Sequence, residues 1–292
     1  MRLSSGKKNN TIQKAIVPHS DPSLYQRPDP AWRALCSGCV LSGTQVHIWR
    51  GWLNQPVWRV QQLALSLSAD EHARAERFRF DRDRERFIVA RGMLRSILGG
   101  YLGIEPSQVQ FWYGQQGKPY LQEDSNQALI RFSVAHSHQL AVYALACARE
   151  VGIDLEFARP MSRVPQTATA FMSARELDQL SALPADQQLE AFYLCWTRKE
   201  AYIKARGIGL VQPLECLDVS MAPGEPACLL RVKGDPGETH RWSLLSFTPA
   251  PGYVAALAVE GHGWDVVHCD FASRPPAAAR SMLTSNETTT GD

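Results

Sequence analysis

Apolar positions along the chain follow two rhythms, and the order of the rhythms is nearly the same twice over. Gln45-Val46-His47-Ile48-Trp49-Arg50 opens the first pass as a strand. Ser68-Ala69-Asp70-Glu71 is a capping-box pattern and predicts the start of a helix. A longer helix follows, with Phe87, Ala90, Leu94, Ile97, Leu98 and Tyr101 on one apolar face. Ile130 to Val134 and Leu140 to Ala146 then read as strands. The second pass opens with a strand over Gly152 to Glu156 and starts a helix at another capping box, Ser173-Ala174-Arg175-Glu176. A longer helix runs from about Gln188 to Arg206 and stops at Gly207. Strands near Cys216 to Met221, Leu229 to Val232, Trp242 to Phe247 and Tyr253 to Val259 complete it.

Strand, helix, helix and strands, twice over, predict an α+β chain of two similar α/β subdomains in a pseudo-twofold arrangement, with a cleft shared between them. The expected division is an N-terminal subdomain over 45–148 and a C-terminal one over 149–271. Residues 1–44, rich in Ser, Pro, Lys and Asn without periodicity, and 272–292 are expected to be mobile tails.

Composition narrows the class. The 292 residues are 45% hydrophobic, ample for a sizeable core. A formal net charge of +2 gives no global field for nucleic acid or a membrane surface. The longest fully apolar run, Leu140 to Ala148, is half of what a bilayer-spanning helix requires. The N-terminal Gly6-Lys7-Lys8-Asn9-Asn10 has no apolar stretch behind it, so no secretion signal is expected. Seven cysteines, an odd number, read as reduced thiols of a cytoplasmic protein. Cys36-Ser37-Gly38-Cys39 has no second pair at zinc-site spacing and reads as coincidence in a loop.

Two polar clusters interrupt the scaffold. Read as a strand, Gly152-Ile153-Asp154-Leu155-Glu156 turns its apolar pair to one face and Asp154 and Glu156 to the other. Read as a helix, Trp196-Thr197-Arg198-Lys199-Glu200-Ala201-Tyr202-Ile203-Lys204 puts Trp196, Glu200 and Lys204 on one stripe. Three acids and a lysine on two rigid elements suit a hard cation together with a phosphate. Singly, each has a plainer reading. Glu200 and Lys204 make a surface ion pair worth a few tenths of a kcal/mol, and Asp154 and Glu156 the solvated face of an edge strand. The joint pattern shifts the balance, because strand, spacing and helix all have to be right.

Lys118 sits in a turn fixed by Gly117 and Pro119; such a lysine is ordinarily solvated and can also hold a phosphate as a point charge. His136 ends a strand among hydroxyl donors and reads most simply as a turn cap; with His138 it makes no convincing metal pair. The basic run from His72 to Arg95 is interleaved with Glu76, Asp81, Asp83 and Glu85, unlike a nucleic-acid arm.

Gly-Ile-Asp-x-Glu followed by Trp-x-x-Lys-Glu-Ala-x-x-Lys resembles the Sfp-type 4′-phosphopantetheinyl transferases. Gly117-Lys118-Pro119 and Phe132-Ser133-Val134-Ala135-His136-Ser137 are similar to that family's two other signatures, in the right order. The motifs span roughly Leu65 to Leu210, and the repeat layout extends the resemblance to about Glu260. The resemblance implies two α/β halves with coenzyme A between them. It also implies a Mg²⁺-dependent enzyme that moves the phosphopantetheine arm of coenzyme A to a serine of an apo acyl or peptidyl carrier protein, releasing adenosine 3′,5′-bisphosphate. By motif position, Asp154, Glu156 and Glu200 hold Mg²⁺, Glu200 takes the serine proton, and Lys204 neutralises phosphoryl oxygens. Lys118, His136, Arg74 and Arg86 contact coenzyme A phosphates, with Pro119 and Ala135 beside them.

The chain departs from the family pattern twice. Ala135 stands where the family often has serine, which removes one hydroxyl contact, and Glu71 stands where it often has a base, so the grip on the 3′-phosphate falls to Arg74. Coenzyme A and the carrier are thus the expected partners of a monomer that uses neither nucleic acid nor membrane. Two other readings keep parts of this picture: a Mg²⁺-dependent nucleotide pyrophosphate hydrolase, and a non-catalytic carrier-binding protein.

Overall fold

The computed structural model describes residues 32–34, 40–122, 129–209 and 213–271. The Cys36 and Cys39 pair and most of both expected tails lie outside the described residues. The chain opens with β1 (Arg33–Ala34) and β2 (Gln45–Trp52), then α1 (Val57–Ala64), α2 (Ala69–Ala75) and α3 (Asp81–Leu102). A small hairpin, β3 (Phe111–Tyr113) and β4 (Pro119–Leu121), leads to β5 (Ile130–Ser137) and β6 (Leu140–Cys147). The second pass runs β7 (Val151–Phe157), α4 (Val164–Ala168), α5 (Ala174–Ala182), α6 (Ala185–Arg206), β8 (Leu217–Val219), β9 (Leu229–Val232) and α7 (Glu238–Arg241). It closes with β10 (Trp242–Phe247), β11 (Tyr253–Glu260) and β12 (Asp265–Asp270).

The internal repeat is real in its hydrogen bonds. In the first pass β2 pairs with β6 and β6 with β5, all antiparallel; in the second β7 pairs with β11 and β11 with β10, also antiparallel. The long helices α3 and α6 both have 22 residues and both end at a left-handed glycine, Gly103 (φ 69°) and Gly207 (φ 65°), a conformation that costs glycine no Cβ clash. Each capping-box glutamate is buried and locked to a base at the same position along its long helix. Arg95 donates to Glu71 at 2.6 Å, and Lys199 pairs with Glu176 at 2.5 Å. Buried carboxylates need such partners.

The layers follow from where the apolar faces go. Helix α3 covers the outer face of a five-stranded sheet ordered β1-β12-β2-β6-β5. Helix α6 covers the outer face of the three-stranded sheet β10-β11-β7. The inner faces of the two sheets meet in a third core that includes Val46, Ile48, Val142, Ile153, Leu155 and Leu257. The sheets also touch along a seam between β5 and β7, where two serines stand in for ladder acceptors: Ile153 N donates to Ser133 Oγ at 3.1 Å and Phe157 N to Ser137 Oγ at 3.0 Å.

Two features were not anticipated. Strand β12 crosses back and pairs parallel with β2 in the first sheet, and β1, inside the segment expected to be mobile, pairs parallel with β12. Arg50 fastens this edge, bonding Asp270 at 2.9 Å while its guanidinium lies 4.4 Å over the Trp32 ring. Helix α6 presses on β7 at Gly152, where an added Cβ would lie 2.0 Å from Ala201 O and 2.3 Å from Ala205 N. Backbone on both sides cannot yield cheaply. Gly152→Ala is expected to lower the urea midpoint of unfolding by an amount equivalent to about 3 kcal/mol; an unchanged midpoint would show that the helix does not rest on this residue.

Candidate active site

Strand β7 has a split character because its neighbours differ. Val151, Ile153 and Leu155 enter the core between the sheets, while Asp154 faces α6, which the missing side chain of Gly152 lets approach. Helix α6 returns a stripe of its own. Lys204 Nζ donates to Asp154 Oδ1 at 2.6 Å. One turn earlier is Glu200, and one turn before that Trp196, whose Nε1 donates to Glu156 Oε1 at 3.2 Å. The other Glu156 oxygen accepts from Ser137 Oγ at 3.0 Å, so the serine that joins the sheets also orients this acid.

Two carboxylate oxygens in this cluster, Asp154 Oδ2 and Glu200 Oε1, are buried with no hydrogen-bond partner among the described residues. Orphaned buried acceptors are costly and uncommon. Burial pushes the Asp154 carboxyl up to about 7, against the opposing pull of Lys204, with Glu156 and Glu200 adding to the rise. Burial raises Glu200 too, again opposed by Lys204 and assisted by Glu156. Lys204 and Glu156 therefore bear on both carboxyls, in opposite senses.

The three acids are nonetheless not gathered into a ligand shell: among the described residues no group of three Asp, Glu, His or Cys side chains stands ready to hold a metal ion. Lys204 occupies one side of Asp154, and Glu156 is committed to Ser137 and Trp196. The donor chemistry still fits a hard divalent cation. Magnesium is usually bound through one or two carboxylates, with substrate phosphates and water completing its sphere, and the unpartnered oxygens of Asp154 and Glu200 are of that type.

A cationic rim borders the acids. His136, exposed at the end of β5, has its pKa lowered by loss of water around the ring and then by the charges of Lys204, Arg74 and Arg86. These cations come from α6, α2 and α3 respectively. Arg74 is exposed, its guanidinium 5.3 Å from the Phe87 ring centroid, and Arg86 reaches Asn54 at 3.5 Å. Ala135 is buried in the core between the sheets.

Glu71, where the family often has a base, is buried and bound to Arg91 and Arg95, so it belongs to the scaffold. Lys118 is turned elsewhere: its ammonium bonds Ala205 O at 3.2 Å, with Val151 O and Glu150 Oε2 each at 3.4 Å. Glu150, which bonds this lysine, carried no signal along the sequence, because Lys118 and Arg131 meet it from the other half.

Comparison with known proteins gives the family. The profile described as the 4′-phosphopantetheinyl transferase superfamily matches residues 150–258, and that of the N-terminal part of a 4′-phosphopantetheinyl transferase matches residues 49–149. The 4′-phosphopantetheinyl transferase HetI of Nostoc sp. is 43% identical over 80% of this chain and 95% of its own length. Psf-1 of Bacillus pumilus, a 4′-phosphopantetheinyl transferase, is 30% identical over 59% of this chain and 71% of its own length. For Sfp of Bacillus subtilis, which carries the same description, the identity is 28%, over 53% of this chain and 66% of its own length. The chain belongs to the 4′-phosphopantetheinyl transferase family and is an enzyme of that class. Among the described residues, no helix is long and apolar enough to cross a membrane.

The raised Asp154 carboxyl has a consequence for metal-free protein. A folded-state pKa near 7 against an ordinary 3.8 means that the folded state holds the proton more tightly. Its stabilising contribution is therefore complete below about pH 4 and lost as the pH rises through about 7. With a chelator present, Asp154→Asn is expected to raise the melting temperature over wild type increasingly across that window. An equal difference at both ends would show that Asp154 ionises normally.

Proposed function

We propose that this transferase moves the 4′-phosphopantetheine arm of coenzyme A to a serine hydroxyl of an apo acyl or peptidyl carrier protein in a Mg²⁺-dependent reaction. The observation that supports the reading best is the pair of unpartnered buried oxygens, Asp154 Oδ2 and Glu200 Oε1, beside the Lys204 ammonium. An acidic pocket with a cationic edge suits a ligand that brings both a cation and phosphates.

Asp154 and Glu200, with Glu156 beside them, would hold the Mg²⁺; when bound, the ion supplies charge neutralisation to the phosphate oxygens and keeps the carboxylates ionised. The protein's own residues do the rest. Glu200 accepts the serine proton, directly or through a water. The serine oxygen forms a bond to the β-phosphorus as the pyrophosphate bridge to that atom breaks, and adenosine 3′,5′-bisphosphate leaves. Phosphoryl transfer needs little covalent help and much positioning and neutralisation. Lys204, anchored on a helix and already paired with Asp154, meets the phosphoryl oxygens without reorganising.

His136, Arg74 and Arg86 hold the remaining phosphates, Arg74 taking the 3′-phosphate in place of a base at Glu71; Pro119 and the backbone at Ala135 border the nucleotide. The enzyme acts as a cytoplasmic monomer whose two halves share one site, with neither nucleic acid nor membrane as partner. Its division into 45–148 and 149–271 follows the change from phosphate grip to metal and base.

The test is transfer itself. Incubated with coenzyme A, Mg²⁺ and an apo-carrier, wild-type protein is expected to make the carrier heavier by one phosphopantetheine in mass spectrometry. Glu200→Gln and Asp154→Ala should each lower that rate by about a thousandfold with the fold intact. Free phosphopantetheine appearing without carrier would point instead to a pyrophosphate hydrolase, and full activity in either variant would remove these residues from the site.

A further inference from the structure

Lys118 lies on the turn that joins β3 to β4 in the first half, yet every bond of its ammonium leads away from that hairpin. Ala205 O belongs to the last turn of α6, where intrahelical donors run out and only Lys204 O is met by the Gly207 amide. Val151 O opens β7. Glu150 lies in the link between the two halves and is itself fixed. Its Oε1 accepts from Arg131 at 3.1 Å, and its carbonyl accepts from Glu260 N at 3.0 Å. A lysine has three donors, and here all three are used, with the side chain only 13% exposed. A cation at a helix C-terminus also meets the negative end of the helix dipole.

The neighbouring contacts have the same direction. A Cβ on Gly207, the residue that ends α6, would lie 2.6 Å from the Tyr120 hydroxyl, and one on Gly209 would lie 3.0 Å from Gln116 Cβ. Trp112 stacks on Tyr120 with ring centroids 4.5 Å apart and stiffens the hairpin. The hairpin of the first half therefore caps the end of the second half's long helix. The turn it grips at Ala205 also carries Lys204, whose ammonium holds Asp154.

We propose that Lys118 is a positioning residue, a latch between the halves that sets the last turn of α6 and so the placement of Lys204, and not a direct ligand of coenzyme A phosphate. The kinetic part of this assignment rests on the transferase reading; the stability part stands without it.

Lys118→Met and Glu150→Gln, made singly and together in the full chain, test the latch. Each is expected to lower the melting temperature by several degrees, and the double variant to lose less than the sum, since both remove one shared bond. In carrier labelling, Lys118→Met is expected to cut kcat by about tenfold while KM for coenzyme A changes less than about twofold. An unchanged melting temperature with KM raised about tenfold or more would overturn the latch in favour of a phosphate contact, and so would strict additivity in the cycle. Should Lys118→Met fail to fold, Glu150→Gln decides alone, because an unaltered melting temperature there means that no latch exists. If wild-type protein transfers nothing, the transferase reading fails while the melting cycle still judges the latch.

Discussion

Helix α6 lies against strand β7 at the limit of backbone approach because Gly152 has no Cβ to hold Ala201 and Ala205 away. That contact sets the depth at which everything else in the site operates. With α6 this close, the residue two places along the strand meets the helix stripe directly, and Asp154 becomes buried against Lys204 at 2.6 Å. The same depth strips water from Glu200 and leaves one oxygen of each acid without a partner. Carboxylates in such surroundings resist ionisation, as the rise of Asp154 to about 7 reflects. On the proposed reading, a cation and a phosphate ligand would satisfy these oxygens.

The two halves share a scaffold but not a chemistry. Along the long helices, Arg95 and Lys199 occupy equivalent positions and perform the same task, each closing a buried capping-box glutamate. One residue further on, the second half has Glu200 and the first has Ser96; one helical turn beyond that, Lys204 corresponds to Gly100. On the paired strands Asp154 faces Ala256, whereas Trp49 takes the matching place opposite Tyr143 and donates to Tyr101 instead. The two frames are alike, and the buried acid and lysine cluster lies in the second.

Most of this frame was legible along the sequence. Both capping boxes, both long helices and the strands that close each half have local signals strong enough to survive in tertiary context. The Asp154, Glu200 and Lys204 cluster was legible as well, since strand and helix periodicities each aim their residues without reference to the rest of the fold. What escaped notice depends on distant partners. Strand β12 reads Asp265-Val266-Val267-His268-Cys269-Asp270, with no clear alternation, and forms because β2 offers an edge. The Gly117-Lys118-Pro119 motif likewise carries no sign that Ala205 and Glu150 lie beside Lys118 in space. The bonds of Lys204, Ser137 and Trp196 to oxygens of Asp154 and Glu156 also depend on partners that lie far off along the chain.

The claim at the centre is that the acids of β7 and α6 share one divalent ion that a diphosphate completes. A direct titration with Mn²⁺, read by its electron paramagnetic resonance signal, tests it without reference to turnover. Binding should be weak to the protein alone and much tighter with coenzyme A present, and that gain should vanish in both Asp154→Asn and Glu200→Gln. Equal Mn²⁺ binding by wild type and both variants in the presence of coenzyme A would contradict it.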